Sequence, residues 1–393
     1  MAKINDYLKK LDNKYIFMNA SKQVAEYKKN HPKEKVLSLG VGDVSRPIVK
    51  PVIEAMHKAI DDLSNMETFK GYGASHGYDF LKQKILDNDY KDFNFTLDEI
   101  YISNGTKTDS TNILELFDIN SRICITDPMY PIYRDGASSL SRNVEIIKSI
   151  DKETFLPDIP KEKYDIIYMC SPNNPTGICY TKKELEKWIN YARKNKAVII
   201  YDNVYAAFIS SKDVPKSIYE IKGADEVAIE LRSFSKNASF TGVRCSYYII
   251  PNKIAKDVNK LWKYRTINRF NGADYIAQRG AEAVYTKKAQ KEIKKNIEYY
   301  KENARILREA FEDMGFTISG GIDSPFIWVK IKEQIKSWEY FELLLEKLQI
   351  IIVPGRIFGE LGDQYFRVSA LAPREVINGA LERMRKYYEK ENI

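Results

Sequence analysis

Between residues 99 and 250, short apolar runs alternate with helix-forming segments. The runs are Glu99-Ile-Tyr-Ile-Ser103, Arg122-Ile-Cys-Ile-Thr126, Tyr164-Asp-Ile-Ile-Tyr-Met-Cys170, Ala197-Val-Ile-Ile-Tyr-Asp202, Glu226-Val-Ala-Ile-Glu-Leu-Arg232 and Cys245-Ser-Tyr-Tyr-Ile-Ile250. Near-continuous apolar strands separated by helices define an α/β fold, with a mostly parallel sheet covered by helices on both faces. Ligands in such sheets bind at the carboxyl ends of the strands. Polar clusters follow these runs, among them Asn104-Gly-Thr-Lys107, Asp127-Pro-Met-Tyr130, Ser171-Pro-Asn-Asn174 and Ser233-Phe-Ser-Lys236.

The ends of the chain read differently. Residues from Ile4 to about Asn30 predict an arm and an amphipathic helix, and the segment after about residue 286 turns α+β. The expected layout is an arm with part of a small domain over 1–47, a large domain over 48–285, and the rest of the small domain over 286–393. Val36-Leu-Ser-Leu-Gly-Val-Gly-Asp43 is a short strand entering a glycine turn, where Gly40 and Gly42 permit close approach of backbone to ligand. It lacks the G-x-G-x-x-G spacing of a dinucleotide site.

Composition excludes several classes. Of 393 residues, 44% are hydrophobic and 30% charged, as in ordinary globular proteins. No apolar run approaches the roughly 20 residues that cross a bilayer, and the N-terminus lacks the apolar core of a signal peptide. The four cysteines form no C-x-x-C pair, which suits a reducing cytoplasm. The net charge of +8 is scattered along the chain, with no aromatic–basic module and no zinc spacing, so neither nucleic acid nor a metal is expected as a partner.

The chemistry concentrates in Ser233-Phe-Ser-Lys-Asn-Ala-Ser-Phe-Thr-Gly-Val-Arg244. A lysine kept near cations and out of bulk water loses proton affinity and becomes a usable nucleophile. Hydroxyls and a guanidinium beside it are what a phosphate dianion needs. A Schiff-base lysine beside a phosphate cup suggests pyridoxal 5′-phosphate (PLP). The alternative is a solvated lysine in a serine-rich loop. Asp202 closes an apolar strand, where a buried carboxylate needs a partner such as a protonated pyridine nitrogen; it could instead cap a helix. Tyr205 and Asn174 can reach a cofactor phenolate, Tyr130 can stack on a ring or belong to the core, and Arg367 is suited to a substrate carboxylate or to a surface ion pair.

In order, Asn174-Pro-Thr-Gly177, Asp202-x-x-Tyr205, Ser233-x-x-Lys236, Arg244 and a late Arg367 resemble the fold-type I, class I/II aminotransferases over almost the whole chain. Within that family the chain is most similar to the LL-diaminopimelate subgroup, through segments such as Leu39-Gly-Val-Gly-Asp43, Lys70-Gly-Tyr-Gly73, Asp127-Pro-Met-Tyr-Pro-Ile-Tyr133, Phe240-Thr-Gly-Val-Arg244 and Phe270-Asn-Gly272. The resemblance implies an aspartate-aminotransferase-like fold, PLP, and transfer of an amino group between an amino acid and a 2-oxo acid, with tetrahydrodipicolinate and 2-oxoglutarate as the implied pair. It implies Lys236 as Schiff-base lysine and general base, Asp202 on the pyridine nitrogen, and Tyr205 and Asn174 on the phenolate oxygen. Ser233, Arg244 and the backbone of Gly105, Thr106 and Lys107 would hold the phosphate, and Tyr130 would stack on the ring. Arg367 would take the α-carboxylate, while Tyr15, Gly42, Lys107, Asn174 and Asn271 would line the substrate site. Tyr72 and Asn271 would come from the other subunit of a homodimer.

The subgroup usually carries a glutamate after Gly-Tyr-Gly and an acidic residue at the position of Arg46; this chain has Ala74-Ser75-His76 and Arg46. A distal ammonium on the substrate would lose charge partners, so a different amino acid substrate is the alternative. His76 is either a pocket donor or a plain loop histidine, and His31 and His57 are expected at the surface. A lyase or a non-catalytic PLP-binding protein on the same scaffold are further alternatives, the latter disfavoured by the presence of both Lys236 and Arg367.

Overall fold

A computed structural model describes residues 16–40, 42–148 and 154–391, together with Ala2 and Asp6. In chain order the strands are β1 (Leu37–Ser38), β2 (Ile100–Ser103), β3 (Ile123–Asp127), β4 (Val144–Lys148), β5 (Ile166–Cys170), β6 (Val198–Asp202), β7 (Ala228–Ser233), β8 (Ser246–Ile249), β9 (Ile318–Gly320), β10 (Phe326–Lys330), β11 (Ile350–Ile351), β12 (Val353–Pro354) and β13 (Tyr365–Ser369). A seven-stranded sheet has the order β2-β8-β7-β6-β5-β3-β4. Its pairs are parallel except the two made by β8, which runs antiparallel to β2 and β7. The expected mostly parallel sheet is therefore present, with one reversed strand.

Local sequence explains the crossovers. The helix Lys182–Asn195 begins at Thr181, whose hydroxyl accepts from the Glu184 N–H while the Glu184 carboxylate accepts from the Thr181 N–H. It buries Leu185, Trp188, Ile189 and Ala192 and ends at Lys196 in the left-handed region. The strands it joins, β5 and β6, are buried on both faces, as their unbroken apolar sequence requires.

A second core gathers both chain ends. Leu37 and Leu39 pack with Ile327, Val329, Phe366, Val368 and residues of the helices Ser337–Leu348 and Arg374–Glu391. Its antiparallel sheet runs β12-β13-β10-β9, and β1 pairs in parallel with β11. The sequence predicts a long helical region from about Ile254 to Ala310, interrupted near Arg269-Phe-Asn-Gly272; it breaks there and once more before Lys287, giving helices Val258–Arg269, Tyr275–Ala283 and Lys287–Asp313. The last of these spans both cores: Ala289, Ile293 and Ile297 belong to the large core, Ala304, Leu307 and Phe311 to the second.

The two sheets meet backbone to backbone. A Cβ on Gly177 (φ +69°) would lie 2.2 Å from the Phe326 carbonyl oxygen, and one on Gly320 (φ +76°) would lie 2.4 Å from that of Thr176. The Pro-Thr-Gly turn after β5 therefore rests on β9 and β10, which sets the second sheet over the carboxyl edge of the first.

Glu230 on β7 is fully buried and accepts from Tyr90 Oη (2.5 Å), Asn203 Nδ2 (2.8 Å), Ser217 Oγ (3.0 Å) and the Ile218 N–H (3.2 Å). Glu230→Leu leaves those donors without an acceptor and should cost about 3–5 kcal/mol, read as a lower urea midpoint. A change below about 1 kcal/mol would mean that the donors find other acceptors.

Candidate active site

The sheet register lines up the site. Cys170 pairs with Asp202, Asp202 with Leu231, Ser233 with Ser246, and Ser246 with Ser103. Because β8 is reversed, its N-terminal end, just after Arg244, reaches the edge where its neighbours end. A cavity of about 950 Å³ opens there, with Asp43, Lys107, Tyr130, Asp202, Lys236 and Arg367 in its walls.

Ser233 ends β7, and its hydroxyl accepts from the Ser235 N–H at 3.1 Å, starting the one-turn helix Phe234–Asn237. Phe234 and Phe240 are buried in the core, so Lys236 faces the cavity, where its Nζ donates to the Gly42 carbonyl. Burial pulls the Lys236 ammonium down to about 8; Asp43 opposes this, and Arg367 and Arg244 add to it.

Asp202 is buried at the end of β6. Tyr133 donates to its Oδ2 at 2.6 Å, and its Oδ1 has no partner among the described residues. Burial raises this carboxyl to about 6 against the pull of the Tyr133 hydroxyl and the Val204 backbone N–H. Tyr133 stacks on Tyr168 with centroids 4.9 Å apart, and Tyr130 sits edge-on to Tyr133 at 5.9 Å.

Arg244 has φ +67° and donates from Nη1 to the Thr241 carbonyl (3.1 Å) and to Ser235 Oγ (3.4 Å). A Cβ on Gly105 (φ +147°) would lie 2.1 Å from Arg244 Nη2, so only glycine allows this approach. Thr106, Lys107, Ser233 and Ser235 line the cavity around it.

Arg367 on β13 is buried. It donates from Nη1 to Asn174 Oδ1 (2.6 Å) and from Nη2 to the Gly40 carbonyl (3.2 Å), and it lies over the Phe326 ring at 4.4 Å. Its Nε has no partner, it makes no ion pair among the described residues, and burial lowers its guanidinium to about 10. Gly42 lies beside it, and Tyr205 packs edge-on to Phe326 at 5.1 Å.

Of the residues expected from sequence, Gly42, Thr106, Lys107, Tyr130, Asn174, Asp202, Tyr205, Ser233, Lys236, Arg244 and Arg367 line this one cavity, with Gly105 against Arg244. Tyr72, 91% exposed, and Asn271 do not; their loops lean together, since a Cβ on Gly272 would lie 2.7 Å from the Ala74 carbonyl oxygen. Tyr15 lies outside the described residues. Ser75, His76 and Arg46 are absent from the cavity wall. Arg46 lies over Tyr299 at 5.0 Å and donates to Asn296, while His76 stands edge-on to Tyr101, where burial lowers its imidazole. Tyr133 was missed by sequence reasoning. Its signal lay inside Asp127-Pro-Met-Tyr-Pro-Ile-Tyr133, but its partner is 69 residues away.

A buried carboxylate oxygen with no partner among the described residues, a lysine that burial pulls down to about 8 and a guanidinium beside a glycine fit the ring nitrogen, aldehyde and phosphate of PLP. The chain matches the family described as Aminotransferase class I and II over residues 34–384. It therefore belongs to that family and is a PLP-dependent transaminase acting on amino and 2-oxo acids. It is 43% identical to an LL-diaminopimelate aminotransferase from Phocaeicola vulgatus, over 98% of this chain and all of that one, and 44% identical to one from Lachnospira eligens, with the same coverage. The L,L-diaminopimelate aminotransferase structure from Chlamydomonas reinhardtii superposes with a TM-score of 0.93 at 37% identity, covering 98% and 99% of the two chains. An aspartate aminotransferase from Thermotoga maritima, at 22% identity and TM-score 0.82, shares the fold.

In cofactor-free protein, acylation of Lys236 by an amine-selective reagent, followed by peptide mass spectrometry, should rise through a midpoint near pH 8. Exposed lysines should follow at roughly 10.4. A Lys236 midpoint equal to theirs would contradict the burial described.

Proposed function

We propose that this protein transfers an amino group between LL-diaminopimelate and a 2-oxo acid such as 2-oxoglutarate. The observation that carries the reading is a buried Arg367 that makes no ion pair among the described residues, in the same cavity as Lys236 and an Asp202 oxygen that has no partner among them. An α-amino acid brings a carboxylate for the first, and PLP brings a ring nitrogen for the last.

Asp202 Oδ1 would keep that nitrogen protonated, with Tyr133 holding the other oxygen. Tyr205 and Asn174 would face the phenolate oxygen, Tyr130 would cover the ring, and Ser233, Arg244, Gly105, Thr106 and Lys107 would hold the phosphate. Bound there, PLP supplies an electron-withdrawing ring that stabilises negative charge at the substrate Cα. Arg367, fixed by Asn174 and Gly40, orients the α-carboxylate; Gly42 and Lys107 border the rest of the substrate. Lys236, whose amine is lowered to about 8, takes the proton from the substrate Cα and releases it later in the exchange.

The site is completed by a second copy of the chain. Phe69 and Tyr72, with Leu261, Tyr264 and Ile267 at three-residue spacing on the helix that leads into the Asn271 loop, are exposed apolar side chains. A homodimer covers them and carries Tyr72 and Asn271 to the partner's cavity. A reducing compartment such as the cytoplasm suits the four unpaired cysteines.

A second reading, the same transfer on another amino acid, is favoured by Ser75, His76 and Arg46, none of which supplies an acid for a distal ammonium. Adding LL-diaminopimelate to the yellow holoenzyme should bleach its visible band. Bleaching by glutamate or an aromatic amino acid alone would favour the second reading. Lys236→Ala should abolish turnover and the borohydride-trapped adduct. Arg367→Leu should raise KM for amino acids by about 100-fold or more. An unchanged KM would remove Arg367 from carboxylate binding. Sedimentation should give twice the 45.6 kDa chain mass; a stable, active monomer would rule out shared sites.

A further inference from the structure

The phosphate end of the cavity rests on a buried group outside the motifs described above. Ser103 closes β2, Ser246 opens β8, and the two are paired in the ladder with their hydroxyl oxygens 2.6 Å apart. Asp109 Oδ2 accepts from both, at 2.5 Å from Ser103 and 3.1 Å from Ser246. All three side chains are buried. Ser103 stands two residues before Gly105, and Ser246 two residues after Arg244. These are the residues whose close approach leaves no room for a Cβ. One carboxyl therefore ties together the two strand ends from which Gly105 and Arg244 emerge.

We propose that Asp109 is a positioning residue for cofactor binding: through Ser103 and Ser246 it holds the Gly105 backbone and the Arg244 guanidinium at the separation that a phosphate group needs. This rests on the reading that those two residues meet the phosphate. Asp109 accepts from the two hydroxyls, and the Arg244 guanidinium donates to Ser235 and the Thr241 carbonyl and makes no ion pair among the described residues, so its charge remains for a ligand. Burial pushes the Asp109 carboxyl up to about 7, with the two serines and Arg244 opposing and Asp202 adding to the rise.

The test compares PLP with pyridoxal, which lacks the phosphate, by titrating each into the full-length chain freed of cofactor. Asp109→Ala should weaken PLP by about tenfold and pyridoxal by less than about twofold, so that the preference for PLP shrinks. Ser246→Ala removes one of the two ties, should show the same selective loss to a smaller extent, and decides the matter if Asp109→Ala does not fold. Equal weakening of both ligands would mean that Asp109 only stabilises the fold, and unchanged PLP affinity would mean that it positions nothing; either overturns the inference. If the unmodified chain binds pyridoxal as tightly as PLP, the phosphate reading of Gly105 and Arg244 fails first, and the inference with it.

Discussion

The reversal of one strand decides where the charges meet. With β8 antiparallel between β2 and β7, the segment leading into it reaches the edge where β2, β6 and β7 end. Were β8 parallel, Arg244 would stand at the other end of the strand, roughly 13 Å away for four residues at ~3.3 Å each. The reversal puts Arg244 beside Gly105 and Ser246 beside Ser103, with Arg244 in the same cavity as Lys236 and Asp202. The second sheet, resting on the Pro-Thr-Gly turn, then adds Arg367 above the same edge.

The result is a cavity with an excess of positive charge. Lys236, Arg244, Arg367 and Lys107 line it with Asp43 and Asp202. Taking a cation out of water is costly, and the lowered titration of Lys236 and Arg367, the two that burial affects, expresses that cost. Anions relieve it: a phosphate at one end and a carboxylate at the other. Asp202, whose buried Oδ1 has no partner among the described residues, asks for a cation instead. Sign and position together select a ligand that is anionic at its extremities and cationic at a ring nitrogen, and ligand binding should stabilise the folded chain by mass action.

Much of this could be read in the sequence because polar residues after apolar runs mark strand ends. Asp202, Ser233, Lys236 and Asn174 follow runs too apolar to be anything but buried strands, and their order carried the resemblance to aminotransferases. Contacts that depend on strand order could not be read that way. Tyr133 reaches Asp202 across 69 residues, and Asp109 reaches Ser246 across 137. Neither pairing has a local pattern; both follow from which strands are neighbours in the sheet. The long C-terminal helical region was legible as helix, but not that Lys287–Asp313 would serve two cores. Within one chain Arg46 packs on Tyr299 and donates to Asn296, and His76 stands against Tyr101, contacts that the motifs around them do not encode.

The central claim is that a buried carboxylate with one free oxygen grips the cofactor at its ring nitrogen. The 15N chemical shift of PLP labelled at the pyridine nitrogen, recorded in the holoenzyme, tests it most directly. The account predicts a protonated pyridinium in the native chain that persists well above the nitrogen's pKa in water and is lost in Asp202→Ala. A neutral pyridine in the native holoenzyme, or a pyridinium that survives removal of the Asp202 carboxyl, would contradict it.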